Sequence, residues 1–129
     1  MKIGFDLDGV LERPVMRELL LRLREAGVEI HIITGSFDEV IWQSADAKRA
    51  KLDRLKIPFT EWPAVPGPQL HIIHGVDRSF DIEYRLRDIG LRKGLLTEEL
   101  GIDIMIDDST LYCDVMPVMN GALTVLQVR

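Results

Sequence analysis

A chain of 129 residues holds one domain, long enough to bury roughly two-thirds of the surface that its unfolded form exposes. With 47% hydrophobic and 29% charged residues and a mean hydropathy of +0.06, it has ordinary soluble globular composition. The net charge of −5 excludes a general nucleic-acid surface, although Arg85, Arg87, Arg92 and Lys93 make a local patch suited to one phosphorylated ligand. Cys113 is the sole cysteine, so there is no disulfide framework, and no apolar run is long enough for a membrane span or a signal peptide. A cytoplasmic protein without a membrane partner is expected.

Lys2–Phe5 reads as a first strand, and the stretch Phe5-Asp6-Leu7-Asp8-Gly9-Val10 follows from it. Asp6 and Asp8, two residues apart, share a face where the strand ends, and Gly9 permits a sharp turn beside them. Two carboxylates this close are costly unless a cation or a shared proton relieves them, which points to a metal site or an acid/base pair. Pro14 suits a first helical turn, and Val15, Leu19, Leu20 and Leu23 recur at helical spacing up to Gly27. Val28–Ile33 is a second strand, ended by Thr34-Gly35. Ser36 and Glu39 have the spacing of a capping box, and Phe37, Val40, Ile41, Ser44, Leu52 and Leu55 trace one long helix from there.

The segment 57–68 holds four prolines and reads as an extended loop. Leu70–Ile73 is a short third strand. Residues 82–100 are mostly helical, with a break near Gly90 and an end at Gly101. Ile102–Ile106 is a buried fourth strand before Asp107-Asp108. A short helix over Leu111–Met116 and a fifth strand over Ala122–Val128 complete the chain. This alternation predicts an α/β fold: three Rossmann-like layers, with a central, five-stranded, mainly parallel sheet and helices on both faces. Ligands of such sheets sit beyond the carboxyl ends of the strands, where strand order reverses. Asp6, Asp8, Thr34, Asp107 and Asp108 then converge on one rim.

Four carboxylates there form a hard, oxygen-rich site of the kind Mg²⁺ prefers, and without a cation they would repel a phosphate. Thr34 adds a hydroxyl, a helix opening at Ser36 adds free N–H groups, and Lys93 adds a full positive charge. Together they describe a cradle for a phosphoryl group.

The order Phe5-Asp6-Leu7-Asp8-Gly9-Val10, Ile32-Ile33-Thr34-Gly35, Lys93 and Ile106-Asp107-Asp108-Ser109 resembles the four motifs of the haloacid dehalogenase (HAD) superfamily of phosphohydrolases. The resemblance implies a single HAD-like domain over residues 1–129 and a Mg²⁺-dependent phosphomonoester hydrolase. It implies Asp6 as the nucleophile that becomes an aspartyl-phosphate, and Asp8 as general acid and then general base. Thr34, Gly35 and Lys93 would hold the phosphoryl group, with Lys93 also catalytic. The metal would be held by Asp6, the backbone carbonyl of Asp8 and Asp107, with Asp108 ligating it or acting through water. Leu11, Glu12 and Arg13 alone separate the first motif from Pro14, and about twenty residues separate the third strand from Lys93, so no cap domain fits at either place. An open site suits a macromolecular end, or a small phosphorylated molecule enclosed by a second copy in a homo-oligomer.

Other residues have plainer expectations. Lys48, Lys51 and Lys56 read as solvated helix lysines, and Trp42 as a packed residue of the same helix. His71 is expected to pack in its strand and His74 to end it near the rim. Trp62 either packs its loop against the body or stacks on a ligand or another subunit. The same scaffold also admits a phosphotransferase or a non-catalytic metal-binding protein.

Overall fold

The computed structural model describes residues 1–62 and 67–129. Chain order is β1 (Lys2–Phe5), α1 (Pro14–Glu25), β2 (Glu29–Ser36), α2 (Ala45–Arg54), β3 (Thr60–Glu61), β4 (Gln69–His74), α3 (Ile82–Leu100), β5 (Ile104–Asp107), α4 (Thr110–Met119) and β6 (Thr124–Gln127). The strands form one sheet in the order β3-β4-β2-β1-β5-β6, and every pair is parallel. Among the described residues the sheet therefore has six strands, not five. The additional strand is the two-residue β3, whose polar sequence Thr-Glu carries no apolar run to reveal it and which is defined by pairing with Gln69 and Leu70.

Two apolar layers hold the sheet. On one face Leu20 of α1 and Leu52 of α2 pack with Ile3, Phe5, Ile30, Ile32, Leu70 and Ile106. On the other, Ile89 of α3 and Met116 of α4 pack with Ile33, Ile73 and Met105. Alternate residues of each strand thus enter opposite cores, which makes the molecule a three-layer, Rossmann-like α/β fold. Among the described residues, no helix is long and apolar enough to cross a membrane.

The helices differ from expectation in two places. Residues 37–44 do not continue a helix from Ser36, because Ser36 is the last residue of β2 and Ser44 is the true N-cap of α2, accepting from the Ala47 N–H at 3.2 Å. Glu39 pairs with Arg85 of α3 instead of capping, and Phe37 is buried with the guanidinium of Arg85 4.4 Å from its ring centre. Trp42 consequently lies on a single 3₁₀ turn, Ile41–Gln43, and is 77% exposed. Helix α3 runs without a break through Gly90. Cβ atoms at Gly90 and Gly94 would lie 2.4 Å from Val115 Cγ2 and 2.5 Å from the Met116 carbonyl oxygen, so both glycines serve close approach to α4. That approach brings Lys93, between them, under the strand ends.

Within the sheet, His71 is buried and its Nε2 lies 2.8 Å from His31 Nδ1, while His31 Nε2 lies 2.6 Å from a Glu29 carboxylate oxygen. Trp62 covers His71, with ring centres 5.4 Å apart, in keeping with the expectation that it packs its loop against the body. Pro63 and Pro66 of the proline-rich segment lie outside the described residues. Burial, and secondarily His31, push the His71 pKa down to about 4. Its unfolded value is near 6.5, so the unfolded chain binds more protons than the native one between these limits. The contribution of neutral His71 is present above pH 6.5 and is lost as pH falls toward 4. Full loss amounts to about 1–3 kcal/mol, since solvent screens part of the shift. Urea-unfolding free energy is expected to fall more steeply across that window in the wild type than in His71→Gln; equal slopes would refute the assignment.

Candidate active site

Strand order reverses at β1, which has β2 on one side and β5 on the other, so the crevice lies at the carboxyl ends of these three strands. Asp6 directly follows β1, with its N–H donating to the Ile106 carbonyl at 2.9 Å. The chain then folds into a tight turn, Leu7–Leu11, anchored by buried Leu7, Val10 and Leu11. Gly9 takes φ +76° there, and a Cβ on it would lie 1.9 Å from Asp108 Oδ2. Only glycine permits both that backbone and that proximity. Eight residues, 6–13, join β1 to α1, and 75–81 join β4 to α3, lengths that leave no room for a cap domain.

Lys93 is the centre of the arrangement. It has no exposed surface, and its ammonium donates to Asp6 Oδ1 and to Asp107 Oδ2, both at 3.0 Å. The face of Tyr112 lies 4.6 Å from the same nitrogen. Asp107, also fully buried, accepts from the Ser109 N–H at 3.0 Å through its other oxygen, and Ser109 in turn caps α4. Burial drives the Asp6 pKa up to about 7, against the opposing pull of Lys93 and with further upward push from Asp107 and Asp8. For Lys93, burial favours the neutral amine, but the two carboxylates outweigh it and hold the group well above the usual lysine value.

Asp6, Asp107 and Asp108 each bring one oxygen within 4.8 Å of the others. A trio of carboxylate oxygens beside a cavity matches the hard-donor chemistry of Mg²⁺. The Asp8 carboxylate stands outside this trio and turns toward α2. Its Oδ2 pairs with Lys48, and its Oδ1 accepts from Lys51 at 2.5 Å. Lys51 also reaches Glu12 at 3.0 Å. Burial would raise the Asp8 pKa, yet the hydrogen bonds from the two lysines overcome it and bring the group below the ordinary aspartate value.

These lysines correct the expectation that both are solvated: Lys48 is 6% exposed and Lys51 is half-buried. The spacing i, i+3 on a helix following the Thr motif was the available signal, since it places both on one face. The supposed patch of Arg85, Arg87, Arg92 and Lys93 is not a common surface either, because Arg85 is engaged by Glu39, Arg92 by Asp88 and Lys93 by Asp6 and Asp107.

Thr34, 1% exposed, lies inside β2, and Gly35 packs closely on Ile89; both line the cavity with Asp6 and Asp8. The free helix N-terminus expected at Ser36 is absent, for the reason already given. His74 is exposed at the end of β4, and its Nδ1 lies 3.1 Å from Asp38 Oδ2 and 3.3 Å from Ser36 Oγ. The cavity measures about 760 Å³, with acids at its floor, Lys48, Lys51 and Arg54 on one wall, and Phe37, Trp42 and Tyr112 among its apolar and aromatic lining.

No family model matches the chain, and no curated protein sequence does. Among solved structures, the chain is similar to a HAD family enzyme of Bacteroides thetaiotaomicron, a mutant form in complex with magnesium and inorganic phosphate. Identity is 17%, the TM-score is 0.45, and the match covers 96% of this chain and 54% of that one. The chain thus spans about half the length of that structure.

Proposed function

We propose that residues 1–129 form a single HAD-like domain acting as a Mg²⁺-dependent phosphomonoester hydrolase. The observation that carries this is the buried Lys93 ammonium held 3.0 Å from both Asp6 and Asp107, beside an Asp108 oxygen in the same carboxylate trio. An ordinary structural ion pair needs one carboxylate per ammonium; here more acid is gathered than the lysine can neutralise.

In the reaction proposed, an Asp6 carboxylate oxygen attacks phosphorus, forming an O–P bond as the ester oxygen departs with its electron pair. Asp8, ionised while Lys48 and Lys51 hold it, takes up a proton when substrate displaces them, gives it to that oxygen, and then takes one from the water that cleaves the aspartyl-phosphate, so that phosphate is released and Asp6 is regenerated. Thr34 and the Gly35 backbone border the phosphoryl group. Lys93 compensates its charge and holds Asp6 oriented. Mg²⁺, held by Asp6, Asp107, Asp108 and the Asp8 carbonyl, would supply Lewis-acid stabilisation of the phosphoryl oxygens.

One observation favours a non-catalytic metal-binding protein instead: both oxygens of Asp8 are engaged by lysines. The test is phosphate release from a broad panel of phosphomonoesters, with and without Mg²⁺, for wild type and Asp6→Asn. Mg²⁺-dependent release that Asp6→Asn abolishes is the expected result. Tight Mg²⁺ binding with no release from any compound would replace the hydrolase by the binding protein, and transfer to added alcohols would identify a phosphotransferase.

A further inference from the structure

The cationic wall of the cavity has more positive charge than the site needs to position one carboxylate. Lys48, Lys51 and Arg54 stand at intervals of three on α2, on one face of the helix, and all three line the cavity. Lys48 is buried, and among the described residues Asp8 is the sole partner of its ammonium. Arg54 is exposed and, among the described residues, has no ion-pair partner. On that wall three cations thus face two anions, Asp8 and Glu12, while Asp6 and Asp108 lie across the cavity where Mg²⁺ would be held; the cation left without a carboxylate, Arg54, is the last of the three along the helix.

A leaving-group oxygen that receives a proton from Asp8 must approach a carboxylate whose two oxygens are both occupied by lysines. At least one ammonium has to move off Asp8 when substrate arrives. For buried Lys48 that movement is costly unless another anion replaces the carboxylate. The transferring phosphoryl group can serve Lys48. Arg54, six residues on from Lys48 and about 9 Å farther along the helix axis, is better placed to meet a group beyond the transferring phosphoryl.

We propose that the substrate is a phosphomonoester carrying a second anionic group, and that Lys51 and Arg54 bind that group while Lys48 turns to the transferring phosphoryl. This rests on the phosphatase assignment and deepens it by naming a substrate class. Specificity then comes from α2 itself, in a fold whose short connections at residues 6–13 and 75–81 provide no cap to select substrates.

The test compares butane-1,4-diol bisphosphate with butyl phosphate in the presence of Mg²⁺. The wild type is expected to favour the bisphosphate by about 10- to 100-fold in kcat/KM, the range of one charge-assisted contact. That ratio should fall toward one in Arg54→Met, and Arg54→Lys should recover part of it, which a merely structural role for the side chain would not produce. Equal kcat/KM for the two esters, or a preference that survives Arg54→Met, overturns the arm while leaving the hydrolase standing. Absence of release from either ester strikes the hydrolase assignment. The arm is then judged by calorimetric binding of the same two compounds to the Mg²⁺-loaded protein: tighter binding of the bisphosphate that Arg54→Met removes supports it, and equal affinities refute it.

Discussion

Replacing Lys93 by methionine is expected to lower the unfolding free energy by about 3–5 kcal/mol at pH 7 in the absence of divalent ions, a large share of the roughly 5–15 kcal/mol that holds an ordinary domain folded. Methionine fills the space and keeps the contact with Tyr112, so the loss isolates the charge. The ammonium lies within 3.0 Å of two carboxylates, and neither Lys93 nor Asp107 has any exposed surface. Without it, two acids meet in a dry interior with no cation between them, and burial has already raised Asp6 to about 7. The sign with pH follows. In the variant Asp6 is held still higher, the native state binds more protons than the unfolded chain, and the deficit shrinks as pH falls toward 7, below which Asp6 is protonated in the native state of both proteins and the deficit levels off. Neutralising one acid does the same by mutation, so Lys93→Met/Asp107→Asn should be more stable than Lys93→Met alone. Millimolar Mg²⁺ should restore part of the loss if the carboxylates hold it as proposed. Urea titrations read all of these, and a loss below about 1 kcal/mol at pH 7 would refute the central role given to the lysine.

The strand ends were legible in the sequence because buried parallel strands are nearly continuous apolar runs, and the residues that break those runs are the ones at the crevice. Asp6 follows Lys2–Phe5, Thr34 falls in β2, and Asp107 ends β5, so reading where hydrophobicity stops also picked out residues that meet at the candidate site. Other features had no local signal. The two residues of β3 are strand only because β4 lies beside them. The Ser36 and Glu39 pattern imitates a cap, but Phe37 is worth more in the core than in a helix, and Glu39 finds Arg85, 46 residues away. Gly90 and Gly94 look like helix breakers until α4 is placed against them. Lys48 and Lys51 look solvated because α2 is polar almost throughout, with three buried residues, Ala45, Lys48 and Leu52. Their partner, Asp8, is more than 40 residues from Lys51 and about 40 from Lys48. Sequence patterns reveal which face of a helix is apolar; they do not reveal that a polar face is turned onto a carboxylate.

That difference alters what Asp8→Asn should do. From the sequence alone the substitution is a clean probe, removing a proton donor and leaving the fold untouched. In the structure the Asp8 carboxylate also anchors Lys48 and Lys51 through separate oxygens. Asparagine offers one acceptor oxygen and, in place of the other, an NH₂ that points hydrogens at an ammonium. Turnover on phosphomonoesters is therefore expected to drop by about 10²- to 10⁴-fold, the usual weight of a lost general acid/base, and stability by about 1–3 kcal/mol, the cost of a buried polar group without its partner. The two losses are separable. Asp8→Asn/Lys48→Met removes the stranded ammonium, and its thermal midpoint should return toward that of the wild type while phosphate release stays low. Wild-type turnover in Asp8→Asn would dismiss Asp8 as the acid/base; an unchanged midpoint would dismiss the lysine pair as an energetic contact. Recovery of stability without activity in the double variant is the outcome in which one carboxylate holds α2 in place before substrate arrives and handles the proton afterwards.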